Sequence, residues 1–232
     1  MKKGNFSGRR KFLGTLTVSA AAMGIAGIIT PLQQAHAGSA TAGNSTSSDA
    51  EEWFKKIKGK HRIVFDVTRP HEILPFAWPR VFLMTNEITG TLAKDCSVVV
   101  VLRHDAIPYS FQNELWAKYN LGEVFKADDP ATKKPATRNP FWKPAKGDYK
   151  VPGIGEVAIG INELQESGVM FCVCDAAMTV YSAALAENLK LNPAELKKEW
   201  VAGLLPGIQP VPSGVWAIGR AQENGCSYCF AG

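Results

Sequence analysis

Cys96-Ser97-Val98-Val99-Val100-Val101-Leu102 is an uncharged run with four successive valines. A strand with one wet face alternates apolar and polar residues. A continuous apolar run instead marks a strand covered on both faces, as in a parallel sheet between two helical layers. The sequence around it repeats that design. Residues 62–67 (RIVFDV) read as a short β-branched strand. Residues 74–92 show helical spacing, with Phe76, Val81, Met84 and Ile88 on the apolar side and Pro75 and Pro79 confined to the first turns.

Downstream the alternation continues. Residues 108–119 and 156–167 read as helices, the second stopped by Gly168. Residues 169–173 form a third strand, and Asp175 is placed to cap a helix running to about residue 189. Asn192 caps the next helix, with Pro193 and Glu195 in its first turn. Residues 208–211 make a fourth strand. Ser213 caps a helix to about residue 223, and residues 226–230 make a fifth strand. Strands alternating with helices imply right-handed crossovers. The expected fold is a three-layer α/β/α sandwich with a mostly parallel five-stranded sheet. Ligand crevices in such sheets lie beyond the carboxyl ends of the strands. Residues 67–69, 103–106 and 174–177 fall there.

One stretch breaks the pattern. Residues 123–153 hold five prolines and six lysines with little periodicity, and read as a long insertion. Phe125, Phe141, Trp142 and Tyr149 are its candidate anchors, and the crevice or an oligomer contact is the candidate place for it to cover.

The amino terminus reads as a targeting segment. Lys2, Lys3, Arg9, Arg10 and Lys11 precede a mildly apolar stretch over residues 12–32, and Ala35-His36-Ala37 supplies the small residues of a cleavage site. Arg9-Arg10-Lys11-Phe12-Leu13 resembles a twin-arginine signal, with Gly8 in place of the usual hydroxyl residue. The expected division is a cleaved signal over residues 1–37, a flexible linker over 38–59 and one domain over 60–232. The whole chain carries 26 basic and 21 acidic residues, and five of the basic ones lie in the signal. The mature chain is therefore formally neutral, and the net positive charge gives no argument for a nucleic acid or an anionic membrane as partner. The expected location is the periplasm or another exported compartment, with no membrane attachment after cleavage.

The chemistry-bearing residues are the five cysteines, all in the mature part. Cys174 ends a strand and opens a helix, where free backbone N–H groups favour a thiolate and are expected to lower its pKa. Cys172 lies two residues earlier and so on the same strand face. Cys226 and Cys229 form a Cys-x-x-Cys pair on the last strand. The two pairs together offer four soft donors for zinc or copper, or two structural disulfides. Cys96 reads as core. His104, at the end of the second strand, is the candidate base or orienting partner for a thiol. No dinucleotide fingerprint, phosphate loop, nucleophile elbow, His-Glu-x-x-His or haem-attachment motif is present in the sequence.

Three blocks carry a family resemblance: HRIVFDVTRPHEILPFAWPRVFLMTNEI, VVVVLRHDAIPYS, and GVMFCVCDAAM with LLPGIQPVPSGVWAIGRAQENGCSYCF. Together they resemble the DsrE/DsrF-like proteins of the DsrE family, specifically an exported branch. That resemblance implies a flavodoxin-like, DsrE-like α/β/α fold, assembly as homotrimers or hexamers, and sulfur relay through a cysteine persulfide at Cys174, handed between donor and acceptor proteins. The chain departs from the family in Gly225-Cys226-Ser227-Tyr228-Cys229, where the exported branch has Gly-Tyr-Ala-Tyr, and in the additional Cys172.

Three readings follow. The first is a periplasmic sulfur carrier or thiol relay using Cys174 with no required cofactor, closer to a carrier than to a turnover enzyme. The second is a soft-metal or cofactor-binding protein using Cys172, Cys174, Cys226 and Cys229. The third is an oligomer whose cysteines only staple the fold.

Overall fold

The computed structural model describes residues 47–232, which belong to one compact unit. The signal residues Arg9, Arg10 and Ala37 lie outside the described residues. Five strands build one all-parallel sheet: β1 (His61–Val67), β2 (Cys96–Leu102), β5 (Met170–Cys174), β6 (Ile208–Val211) and β7 (Ser227–Phe230). Their spatial order is β6-β5-β2-β1-β7. Two short strands, β3 (Lys150–Val151) and β4 (Gly155–Glu156), form a separate antiparallel hairpin. The α/β sandwich read from the sequence is present.

The strand order explains the layers. From β1 to β6 the chain steps always in one direction, and β7 then returns to the far side of β1. Right-handed crossovers put the helices of the first steps on one face and the helix of the return on the other. Accordingly, α2 (Leu74–Ile88) lies on the face that carries Phe65 and Phe171, with Phe82 and Phe76 meeting them at ring separations of 6.5 and 6.3 Å. Helices α5 (Ile161–Glu166) and α6 (Asp175–Leu189) belong to the same set of crossovers. The return helix α8 (Gly214–Glu223) packs on the other face, over Val64, Val99, Val101, Cys172 and Val211. Every residue of β2 is buried, as its unbroken apolar run requires.

A second element joins α8. Helix α1 (Ser47–Phe54) buries Ala50, Trp53 and Phe54, and Ile57 follows them into the same core. This overturns the flexible linker over residues 38–59 for its second half. The apolar positions 50, 53, 54 and 57 have the spacing of one helix face. They sit just after a Ser/Thr/Gly-rich stretch whose composition hides them.

Several element ends also differ from expectation. Residues 108–119 are not one helix. A 3₁₀ segment over His104–Ser110 gives way to an extended Phe111, and α3 (Asn113–Tyr119) starts afresh, followed by α4 (Leu121–Val124). Phe111, at φ −103° and ψ 149°, is extended and interrupts the helical path. The helix expected over 156–167 shrinks to α5, because Gly155 and Glu156 pair in the hairpin. The cap of α6 is Cys174, not Asp175. As expected, Asn192 caps α7 (Pro193–Ala202) and Ser213 caps α8.

The insertion is packed, not loose. Phe125, Phe141 and Tyr149 are buried, and Trp142 is half-buried. The buried Asn139 donates Nδ2 to the carbonyls of Tyr109 and Phe111 at 2.9 and 3.0 Å, which ties the insertion to the 3₁₀ segment. Phe141 stacks against Phe76 at 4.2 Å and Tyr149 at 5.2 Å. Among the described residues no helix is long and apolar enough to cross a membrane.

Candidate functional site at the carboxyl edge of the sheet

Parity along the strands decides which side chains meet. Asp66 on β1 follows Val64 by two residues and so points to the α8 side. Tyr228 on β7 pairs in register with Val64 and shares that face. Arg103 follows β2, and its N–H donates to the carbonyl of Val67 at 3.0 Å. Cys174 ends β5 two residues after Cys172, again on the α8 side, as the sequence indicated. Four strands thus bring Asp66, Arg103, Cys174 and Tyr228 to one edge.

The charges there are arranged in a chain. Arg103 donates Nε to Asp66 Oδ1 at 2.7 Å and Nη2 to Asp66 Oδ2 at 2.9 Å. The Tyr228 hydroxyl donates to Asp66 Oδ2 at 2.8 Å. Asp66 is only 2 % exposed, so this pairing satisfies a carboxylate that would otherwise be stranded in the sheet. The hydrogen bond to Asp66 raises the Arg103 pKa, burial opposes it, and the nearby Asp66, Tyr228 and Cys174 groups add to the rise. Gly214 makes room for this arginine. A Cβ there would lie 2.5 Å from Arg103 Cβ and 2.6 Å from its Cδ, so only glycine lets the stem lie across the start of α8.

Cys174 sits where two helices begin. Its Sγ accepts a hydrogen bond from the Ala177 N–H at 3.3 Å. Burial pushes its thiol pKa up, and backbone N–H groups of Ala177, Gly214 and Ala176 oppose that rise, with Asp175 adding to it. The sequence reading expected a lowered pKa. The helix N-terminus acts in the expected direction, but desolvation outweighs it. Burial thus dominates at Cys174, while the Ala177 N–H stays on its sulfur.

The other sequence candidates are placed differently. His104 has a left-handed backbone, φ 51°, and its Nδ1 lies 2.9 Å from the Tyr181 hydroxyl. That hydroxyl also donates, in a short contact, to Asp105 Oδ1. The other ring nitrogen, His104 Nε2, lies 3.8 Å from Asp105 Oδ2, so the imidazole is held between Tyr181 and Asp105. Tyr181 lies seven residues beyond Cys174, about 10 Å along the helix. The ring of His104 therefore bonds to Tyr181, and the cation associated with Cys174 is Arg103.

Cys172 is fully buried in the α8-side core, and burial pushes its thiol up. Cys226 is buried in the same core, its thiol pushed up to about 11 by burial against the opposing effect of Arg62. Cys229 pairs in register with Phe65 and so faces the α2 side, where it is partly exposed. The Cys-x-x-Cys thiols thus point to opposite faces, because an odd spacing in an extended chain inverts the side chain. Strands β5 and β7 are three spacings apart, about 14 Å. The four donors do not gather, and among the described residues no cluster of three or more His, Cys, Asp or Glu could hold a metal. All five cysteines are free thiols. A hollow of about 510 Å³ lined by Lys56, Lys58, Lys60, Lys94, Cys96 and Ser97 opens at the amino ends of β1 and β2, the opposite edge from Cys174.

Asp66 and Tyr228 were not singled out by the sequence, and Arg103 was placed at the crevice without a role of its own. Their signal was the acid in RIVFDV, a charge inside an otherwise β-branched strand. No protein-family model matches the chain, and no curated protein matches it. Among solved structures, a protein of unknown function, MTH1491 from Methanobacterium thermoautotrophicum, is similar at 18% identity over 74% of this chain and 99% of that one, with a TM-score of 0.34.

Proposed function

We propose that the mature chain is an exported sulfur carrier, or thiol relay, with Cys174 as the acceptor. The observation that carries this reading is the setting of one sulfur: Cys174 Sγ accepts the Ala177 N–H at the start of α6, the start of α8 acts on it in the same sense, and Arg103 lies next to it on the adjacent strand, one position beyond the Leu102–Val173 pair. The terminal sulfur of a persulfide is a stronger acid than a thiol. A cradle of N–H groups and one cation therefore favours Cys174–S–S⁻ over the resting thiol. The resemblance to the DsrE family assigns the same role to the same residue.

In the transfer step, the Cys174 thiol first loses its proton to solvent. The thiolate attacks the outer sulfur of a donor persulfide, R–S–SH. A Cys174–S bond forms, the donor S–S bond breaks, and R–S⁻ leaves with the electron pair. No external oxidant or reductant is needed. Intact-mass measurement after exposure to polysulfide tests this. One added sulfur in the wild type and none in Cys174→Ala is the expected pair of results; an adduct that survives the substitution overturns it.

Export through the twin-arginine route rests on Arg9, Arg10 and the 35–37 cleavage pattern. Cleavage after Ala37 in protein recovered from the periplasm would support it, and an intact amino terminus in the cytoplasm would remove it. Assembly as a homo-oligomer is supported by α2, which leaves Trp78, Val81, Met84 and Ile88 exposed, the last at 82 %. A sedimenting monomer at micromolar concentration would remove that part of the proposal.

A further inference from the structure

Resting on the carrier reading, we infer that the donor for Cys174 is a small sulfur oxyanion of the thiosulfate class, and that Arg103 binds its oxygens. Arg103 commits Nε and Nη2 to Asp66 on one side of the guanidinium. Its Nη1 has no hydrogen-bond partner among the described residues. The arginine side chain is 27% exposed, so part of it is open to solvent at the carboxyl edge. Asp66 fixes the plane of the fork, and Tyr228 fixes Asp66 in turn. A guanidinium held this way is pre-oriented for a planar or tetrahedral oxyanion, which a flexible lysine would not be.

Charge selects the donor further. A thiolate and a thiosulfate dianion repel each other, and they meet productively only where the surroundings are positive. The Ala177 N–H donates to the cysteine sulfur at 3.3 Å, the start of α8 at Gly214 acts in the same sense, and the free end of Arg103 remains for the sulfonate oxygens. Gly214 serves both groups, since its N–H turns to Cys174 and its missing Cβ admits Arg103. The step balances without a further reactant. The Cys174 proton goes to solvent, and Cys174–S⁻ attacks the outer sulfur of S–SO₃²⁻. The new bond is Cys174–S–S⁻, the thiosulfate S–S bond breaks, and its electron pair leaves with sulfite.

The test is the loading rate of the mature protein by thiosulfate and by inorganic polysulfide, which is anionic but has no oxygen atoms, read by intact mass. Wild type is expected to load from both. Arg103→Gln is expected to lose thiosulfate loading by about tenfold or more relative to polysulfide loading. Because that change strands Asp66, the double variant Asp66→Asn/Arg103→Gln repeats the test with a neutral, hydrogen-bonded pair. Added sulfate should slow wild-type loading by thiosulfate and leave polysulfide loading unchanged. Wild type that loads from polysulfide and not from thiosulfate, unchanged donor preference in the variants, or no sulfate competition overturns the inference while the carrier reading stands. No sulfur on Cys174 from either donor overturns the carrier reading itself.

Discussion

Arg103 meets both carboxylate oxygens of Asp66, at 2.7 and 2.9 Å, across adjacent strands, and so joins a buried acid to the edge where Cys174 lies. Replacing Asp66 with Ala removes the partner from a guanidinium that is itself mostly buried. Breaking a buried pair on one side costs about 3 kcal/mol or more. Urea unfolding should show a lower midpoint with an unchanged slope for Asp66→Ala, and a smaller loss for Asp66→Asn. An unchanged midpoint for Asp66→Ala would show that the pair contributes nothing to the fold.

Helix α1 belongs to the domain. Phe54 is fully buried and meets Trp53 and Trp216 edge to face at 4.9 and 5.7 Å. Phe54→Ala should destabilise the protein by about 3–5 kcal/mol. A chain beginning at residue 60 should lose stability comparably. If that shorter chain unfolds at the same urea concentration as the mature one, the packing of α1 on the sheet is wrong.

This helix also shows where sequence reasoning stopped. Its apolar positions were readable, but composition-based reading assigned them to a spacer. The sheet was legible because its signal is local: uninterrupted runs such as residues 98–102 and 169–173 carry it without knowledge of neighbours. Cys174 was legible for the same reason, as the junction of a strand and a helix. The Asp66–Arg103–Tyr228 chain was not, because it depends on β7 lying beside β1, far apart in sequence. His104, expected to serve a thiol, bonds Tyr181. A residue one position after Arg103 points elsewhere, and a left-handed backbone turns its ring to Tyr181.

Thiol ionisation should make the fold alkali-sensitive. Burial raises Cys172, Cys174 and Cys226 above the ordinary thiol value of 9.0, with Cys226 pushed up to about 11. An acid whose pKa is raised in the folded state keeps its proton there, while the unfolded chain releases it. The stabilisation is complete below pH 9.0 and is lost as pH rises through the folded-state values. The urea midpoint should therefore fall between pH 9 and pH 11. Tyr109, Tyr149 and Tyr181, also raised by burial, act in the same direction. A midpoint that holds steady or rises over that window contradicts this.

The cysteines should remain thiols. Cys226 and Cys229 face opposite sides of the sheet, and Cys172 is enclosed. Alkylation of the folded protein should label Cys229 first and spare Cys172 until unfolding. Alkylation after denaturation, without reductant, should label all five. A Cys226–Cys229 disulfide recovered from protein kept under air would contradict the placement of β7.

Sulfur relay by this chain would place one sulfur atom on one residue. The most direct measurement is peptide-level mapping of the persulfide after sulfur loading, with the labelled peptides sequenced by mass spectrometry. The account predicts that the added sulfur resides on Cys174 and that Cys172, Cys226 and Cys229 carry none. An added sulfur found on Cys229 or Cys226 while Cys174 stays unmodified would contradict it.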